Sequence, residues 1–139
     1  MARIDDLHVG QAAELAKTVT ESDIVLFAGV TGDFNPVHVD VVAASRSVFG
    51  ERIAHGMLSA GFISAVLGMR LPGTGSIYLS QSLRFTKPVR IGDTVTARVE
   101  VLEVMAAKRR VRLGTTCRNQ QGELVVEGEA LVMVGQAEA

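Results

Sequence analysis

The chain has no tryptophan, one tyrosine and one cysteine in 139 residues. A lone Cys117 excludes an internal disulfide and suits a reducing cytoplasm, the expected location. So few aromatics leave no stacking platform for nucleobases. Charge of one sign is also scarce. The formal net charge is −1, too little to attract nucleic acid through the overall field. Only "AAKRRVR", residues 106 to 112, is locally basic; it reads as a solvated hairpin end, with a phosphate-binding patch as the rival reading. No long hydrophobic run exists. The most apolar region, Gly56 to Met69, is too short to span a membrane. The opening "MARIDDLHVG" has early carboxylates instead of the apolar stretch of a signal peptide. Repeats, low-complexity tracts and linkers are missing, so one domain over residues 1–139 is expected.

What is present is apolar: 47% of the residues, with positive mean hydropathy. A chain of this length buries a core without disulfides or metals. The apolar excess suggests surface buried against a partner chain as well. Residues 14 to 19 form a candidate short strand. Thr20 and Asp23 resemble a capping box, and Ile24, Phe27 and Ala28 share a face, so a helix over about 21–31 ending at Gly32 is expected. Asp40 can cap a short helix, "VVAASRSVF", stopped by Gly50. From "AHGML" onward a helix is apolar on every side, hence buried on every side. Gly56, Ala60, Ser64 and Gly68 recur every four residues and give it a stripe of small side chains. Pro72 and Gly73 end it, and "LPGTGS" is a turn without P-loop spacing. The remainder alternates. Residues 76–85, 93–104, 108–119 and 122–134 read as a long antiparallel meander, with Gln81 the polar exception on an apolar face. One buried helix and four late strands suggest a sheet wrapped around a helix, its edge paired with that of a second copy.

The candidate chemistry starts at "GDFNPVHVD", residues 32 to 40. Asp33 and His38 would diverge by about 140° on a helix. Pro36 pushes Asn35 out of helical conformation, so the chain must turn and can bring the two together. A carboxylate and an imidazole so placed can hold one water for acid–base work. From these residues alone two readings stand: that pair, or an ordinary turn with an incidental histidine. Gly56 opens the apolar helix, where free N–H groups carry partial positive charge and could bind an oxyanion; tight packing would also call for glycine. His55 reads as a structural hydrogen-bonding residue. Ser64 by itself reads as bonded to its own helix. No GxSxG elbow is present. The histidines His8, His38 and His55 are widely spaced, so no zinc site is expected.

"GDFNPVHVD", "FGERIAHGMLSAGFISAVLG" and "LPGTGSIYLSQSLRFTKPVRIGDTVTARVEV" together resemble the MaoC-like, or hydratase 2, family. The resemblance runs over about residues 8 to 134, and "AHGML" follows the D-x-N-P-x-H histidine by seventeen residues. It is nearest to the short (R)-specific enoyl-CoA hydratases of polyhydroxyalkanoate synthesis. It implies an α+β hot-dog fold, an antiparallel β-sheet wrapped around a long central α-helix. It also implies a homodimer with active sites at the subunit interface. Asp33 and His38 match the catalytic pair, Gly56 the glycine whose N–H receives the thioester oxygen, Ser64 a nearby helix serine, and Asn35 the motif's asparagine. Val41 stands where relatives often carry proline. The implied reaction is reversible hydration of trans-2-enoyl-CoA to (3R)-hydroxyacyl-CoA, with no metal or redox cofactor. The implied partners are the acyl-CoA substrate and a second copy, not nucleic acid or membrane. Arg84, Lys87, Arg90 and Lys108 are candidates for the CoA phosphates, against a reading as solvated strand charges. A hot-dog thioesterase, a dehydratase acting on acyl carrier protein or branched thioesters, and a non-catalytic acyl-CoA-binding subunit are the competing expectations.

Overall fold

The computed structural model describes residues 1–135; positions 136–139 of the expected domain lie outside the described residues. The strands are, in chain order, Ala12–Thr18 (β1), Ile77–Gln81 (β2), Arg84–Phe85 (β3), Thr94–Met105 (β4), Arg110–Arg118 (β5) and Leu124–Met133 (β6). The helices are Glu21–Thr31 (α1), Pro36–Val39 (α2), Val41–Ser45 (α3) and Gly56–Met69 (α4).

Alternation makes the sheet. Val95, Ala97, Val99 and Val101 of β4 are buried on one face, and Arg98 between them is exposed. Val111, Leu113 and Cys117 of β5 and Val126, Ala130 and Val132 of β6 continue that buried face. The strands pair antiparallel in the order β1-β4-β5-β6-β2, and β3 also pairs with β6. The expected meander is therefore limited to β4, β5 and β6; β1 crosses over to close one side.

Helix α4 lies across the apolar face. Its Ile63, Val66 and Leu67 join the valines of β4 and β5 in one cluster. Each such fully buried side chain contributes about 1.5–3 kcal/mol. The result is the expected α+β arrangement of a sheet around a helix. Among the described residues no helix is long and apolar enough to cross a membrane.

Helix α1 has the expected bounds. Thr20 Oγ1 accepts from the Asp23 N–H, Asp23 accepts from the Thr20 N–H, and Gly32 closes the helix at φ 80°. Lys17, beside Asp23, holds its carboxyl below the usual range, aided by the Thr20 bonds.

Three expectations are corrected. Helix α4 is not buried all round: Met57, Gly61, Ser64, Gly68 and Met69 are exposed, because nothing among the described residues covers that side. Helix α3 ends at Ser45 and does not reach Gly50. Ser45 Oγ donates to the Val42 carbonyl and Ser47 Oγ to the Ala44 carbonyl, offering the backbone a local alternative to helix. The strand expected over 76–85 is broken. A bulge between Tyr78 and Ser80 shifts its register, and Ser82 turns its carbonyl over Gly128 of β6.

Candidate active site

The loop from Gly32 to Asp40 is built by short-range hydrogen bonds. Asp33 Oδ1 accepts from the Asn35 N–H at 3.1 Å. Asn35 Oδ1 then caps α2 by accepting from the Val37 N–H at 3.3 Å. Pro36 is the first residue of that single helical turn, where its missing N–H is not needed. This matches the expectation that Pro36 keeps Asn35 out of helical conformation: Asn35 has φ −50° and ψ 125°, the bend lies between Gly32 and Asn35, and His38 sits within the turn that Pro36 starts. Asn35 is exposed and acts on the loop, outside the cavity wall.

His38 is buried at 8% exposure. Its Nδ1 lies 2.8 Å from the Ile53 carbonyl oxygen. A carbonyl only accepts, so in the neutral ring Nδ1 carries the proton and Nε2 keeps its lone pair. Arg52 Nε donates to the His38 carbonyl at 2.7 Å, and its Nη1 reaches Glu21 Oε1 at 2.6 Å, tying this turn to the start of α1.

Asp33, exposed, and the buried His38 and His55 each bring one donor atom to within 4.8 Å of the others. The chain fold thus joins two histidines that the sequence separates by seventeen positions. His38 Nδ1 and His55 Nε2 each face a carbonyl oxygen, and the two rings stack with centroids 3.9 Å apart.

These residues line a largely apolar cavity of about 820 Å³. Gly56, Ala60, Gly61 and Ser64 form its α4 wall, and Tyr78, Leu79 and Gln81 its β2 wall. The small-residue stripe therefore admits a ligand beside the helix. Ser64 opens onto this space and its hydroxyl is not bonded back to its own helix. Gln81 Nε2 donates to the buried Thr115 Oγ1 at 2.8 Å, and Tyr78 donates to Gln81. The polar exception on β2 was the sequence signal for this wall. Burial raises the Tyr78 phenol above its ordinary value.

A second cavity of about 490 Å³ meets the first at His38, His55, Gly56 and Met57. Phe85, Lys87 and Val125 are on its wall. Gly56 sits between the two as the first residue of α4, whose N–H has no intrahelical partner. A Cβ on Gly56 would stand 2.6 Å from the half-exposed Phe85 ring, so the ring would have to move to admit any larger residue here.

Of the four candidate phosphate ligands, only Lys87 borders a cavity that reaches His38. It is paired with Glu123, whose carboxyl it holds below the usual range. Arg84 is 3.9 Å from Glu127 and opens onto a separate hollow with Arg98 and Glu129. Arg90 is bound to Glu51 at 2.8 Å and to the Phe49 carbonyl. Lys108 ends the 3₁₀ turn between β4 and β5 and borders neither cavity of the site. Cys117 is no nucleophile: burial pushes its thiol up to about 12.

Comparison with known proteins agrees with this geometry. The model of the MaoC like domain matches residues 8–122. An (R)-specific enoyl-CoA hydratase of Rhodospirillum rubrum is 60% identical over 130 residues, covering 94% of this chain and 90% of that protein. The unliganded R-hydratase PhaJ1 of Pseudomonas aeruginosa superposes with a TM-score of 0.92 at 49% identity, covering 98% of this chain and 87% of that one. The (R)-hydratase of A. caviae involved in PHA biosynthesis superposes with a TM-score of 0.89 at 46% identity, covering 92% and 97%. With its sheet-wrapped helix and its D-x-N-P-x-H loop beside the helix start, the chain belongs to the MaoC-like family.

Proposed function

We propose that this protein is an (R)-specific enoyl-CoA hydratase, adding water reversibly to trans-2-enoyl-CoA to give (3R)-hydroxyacyl-CoA. The observation that carries this is the placement of Asp33 and His38 within 4.8 Å of each other on the cavity that holds the start of α4. An enoyl thioester is electrophilic at C3 when its carbonyl is polarised. The Gly56 N–H, at the positive end of α4, receives the carbonyl oxygen as enolate character develops. Asp33 and the bare His38 Nε2 grip one water. Asp33 takes its proton as the oxygen attacks C3, and a proton returns to C2 from the same side. Ser64 supports the thioester nearby. Each step is a proton transfer or an addition, so neither a metal nor a redox cofactor is called for.

The acyl chain and the pantetheine arm divide between the two cavities, with Lys87 the best-placed cation for CoA. The assembly we infer is a homodimer. Its support is an uncovered apolar strip, Met57 and Met69 on α4 with Ile77 and Leu79 on the edge strand β2, all more than 40% exposed. A cytoplasmic site fits the reduced Cys117. The (3R) product suits supply of hydroxyacyl units to polyester synthesis.

Crotonyl-CoA tests the reading directly. Hydration removes the conjugated-thioester absorbance and releases no thiol. Thiol release would indicate a thioesterase, and no change with crotonyl-CoA would sink the hydratase assignment. Size-exclusion chromatography with light scattering should give twice the chain mass. Gly56→Ala should cut turnover by about tenfold or more, since its methyl, 2.6 Å from the present Phe85 ring, crowds the oxyanion position at the start of α4. Its melting temperature should hardly move, because that half-exposed ring can swing outward.

A further inference from the structure

His55 precedes α4 with φ −60° and ψ 135°, a position from which a side chain commonly caps the helix. It makes no cap bond. Its ring turns to the Asp33 loop instead, and Nε2 lies 3.0 Å from the Asp33 carbonyl oxygen. That acceptor assigns the proton to Nε2 in the neutral ring and leaves Nδ1 bare. Nδ1 is buried and has no partner. The ring also lies on His38, with centroids 3.9 Å apart and planes 28° apart, and meets Phe27 at 4.7 Å.

An orphaned buried nitrogen is costly, and a phenylalanine here would avoid it. The cost is offset by what the other nitrogen and the ring face do. His55 grips the backbone that carries Asp33 and backs the ring of His38. Ile53, two residues earlier, fixes His38 Nδ1. Gly56, the next residue, supplies the N–H of the oxyanion position. Three residues within the run 53–56, Ile53, His55 and Gly56, therefore set the mutual spacing of acid–base pair and oxyanion donor.

We propose that His55 is a positioning residue for the hydration, acting through Asp33 and His38; this rests on the hydratase reading. It has no proton to move in the reaction. Its two contacts are separable by substitution. His55→Gln keeps an N–H near the place of Nε2 and loses the ring. His55→Phe keeps a ring against His38 and loses the donor.

Steady-state hydration of crotonyl-CoA by the full-length protein tests the proposal. Both variants should lose kcat by about 10- to 100-fold, the scale of a small misplacement of reacting groups, with KM changed less than about threefold. The Gln variant should retain more activity than the Phe variant. A kcat within about twofold of wild type in either folded variant overturns the proposal, as does a rise in KM alone. If the Phe variant fails to fold, the Gln variant decides by the same limits. A second measurement needs no substrate: ring ¹⁵N–¹H correlations of the unliganded protein should show His55 protonated at Nε2, and an Nδ1–H tautomer overturns the clamp. A wild type that hydrates nothing counts against the hydratase reading, and the tautomer then decides the clamp alone.

Discussion

Asp33→Asn and His38→Ala are each expected to reduce crotonyl-CoA hydration by about 10²- to 10⁴-fold, the usual contribution of a positioned acid or base. Asparagine is the informative replacement at Asp33. Its amide oxygen can still accept from the Asn35 N–H, so the loop is kept while the base is lost. His38→Ala does more. It leaves the Ile53 carbonyl without its donor and uncovers the face of His55, at a cost of about 1–3 kcal/mol in stability. Thermal unfolding of both variants therefore accompanies the kinetics. The two losses should not add, because both residues act on one water: the double variant should be about as slow as the slower single one. Either single variant retaining more than about a tenth of wild-type turnover, while folded, would remove Asp33 and His38 from the mechanism.

Gly128→Ala should destabilise the fold by about 3 kcal/mol or more, at the upper end of overpacking costs. The residue lies in β6 where β2 hands over to β3. A Cβ built there stands 1.8 Å from the Ser82 carbonyl oxygen and 2.7 Å from its carbonyl carbon. Those are backbone atoms, and Ser82 is held on both sides. Its N–H donates to the Glu129 carbonyl at 2.9 Å, and its Oγ accepts from the Glu129 N–H at 3.0 Å. The clash cannot be relieved by one rotamer change; the crossing must lift. That movement would also carry Gln81 away from Thr115 and open the β2 wall of the cavity. For a chain of this size the melting temperature should fall by about 10 °C or more. A melting temperature within about 2 °C of wild type would show that β3 is free to shift and that the close approach is incidental.

Local chemistry made much of this fold legible. The Thr20 and Asp23 box and Gly32 bound α1 where expected, because capping acts within one helical turn and needs no distant partner. The alternation of β4, β5 and β6 was equally plain, since a strand with one buried face writes its period into the sequence. Strand β2 was harder. Its break before β3 sets Ser82 against Gly128, more than forty residues away, and no window around residue 82 contains that fact. The stop of α3 at Ser45 was missed for another reason: serine hydroxyls competing for the backbone look the same in sequence as serines facing water.

The site divides along the same line. The sequence by itself determined the Asp33–Asn35–Pro36–His38 loop, the helix opening at Gly56 and the family to which they belong, since these depend on residue types at short spacing. Only the tertiary structure decided that His55 joins them, that Lys87 alone of the four candidate cations borders the site, and that one side of α4 stays uncovered. Those outcomes depend on how β2, β6 and α4 approach one another. Such approaches are set by packing between segments far apart in the chain, where a single small residue, Gly56 or Gly128, determines how close two backbones or rings can come.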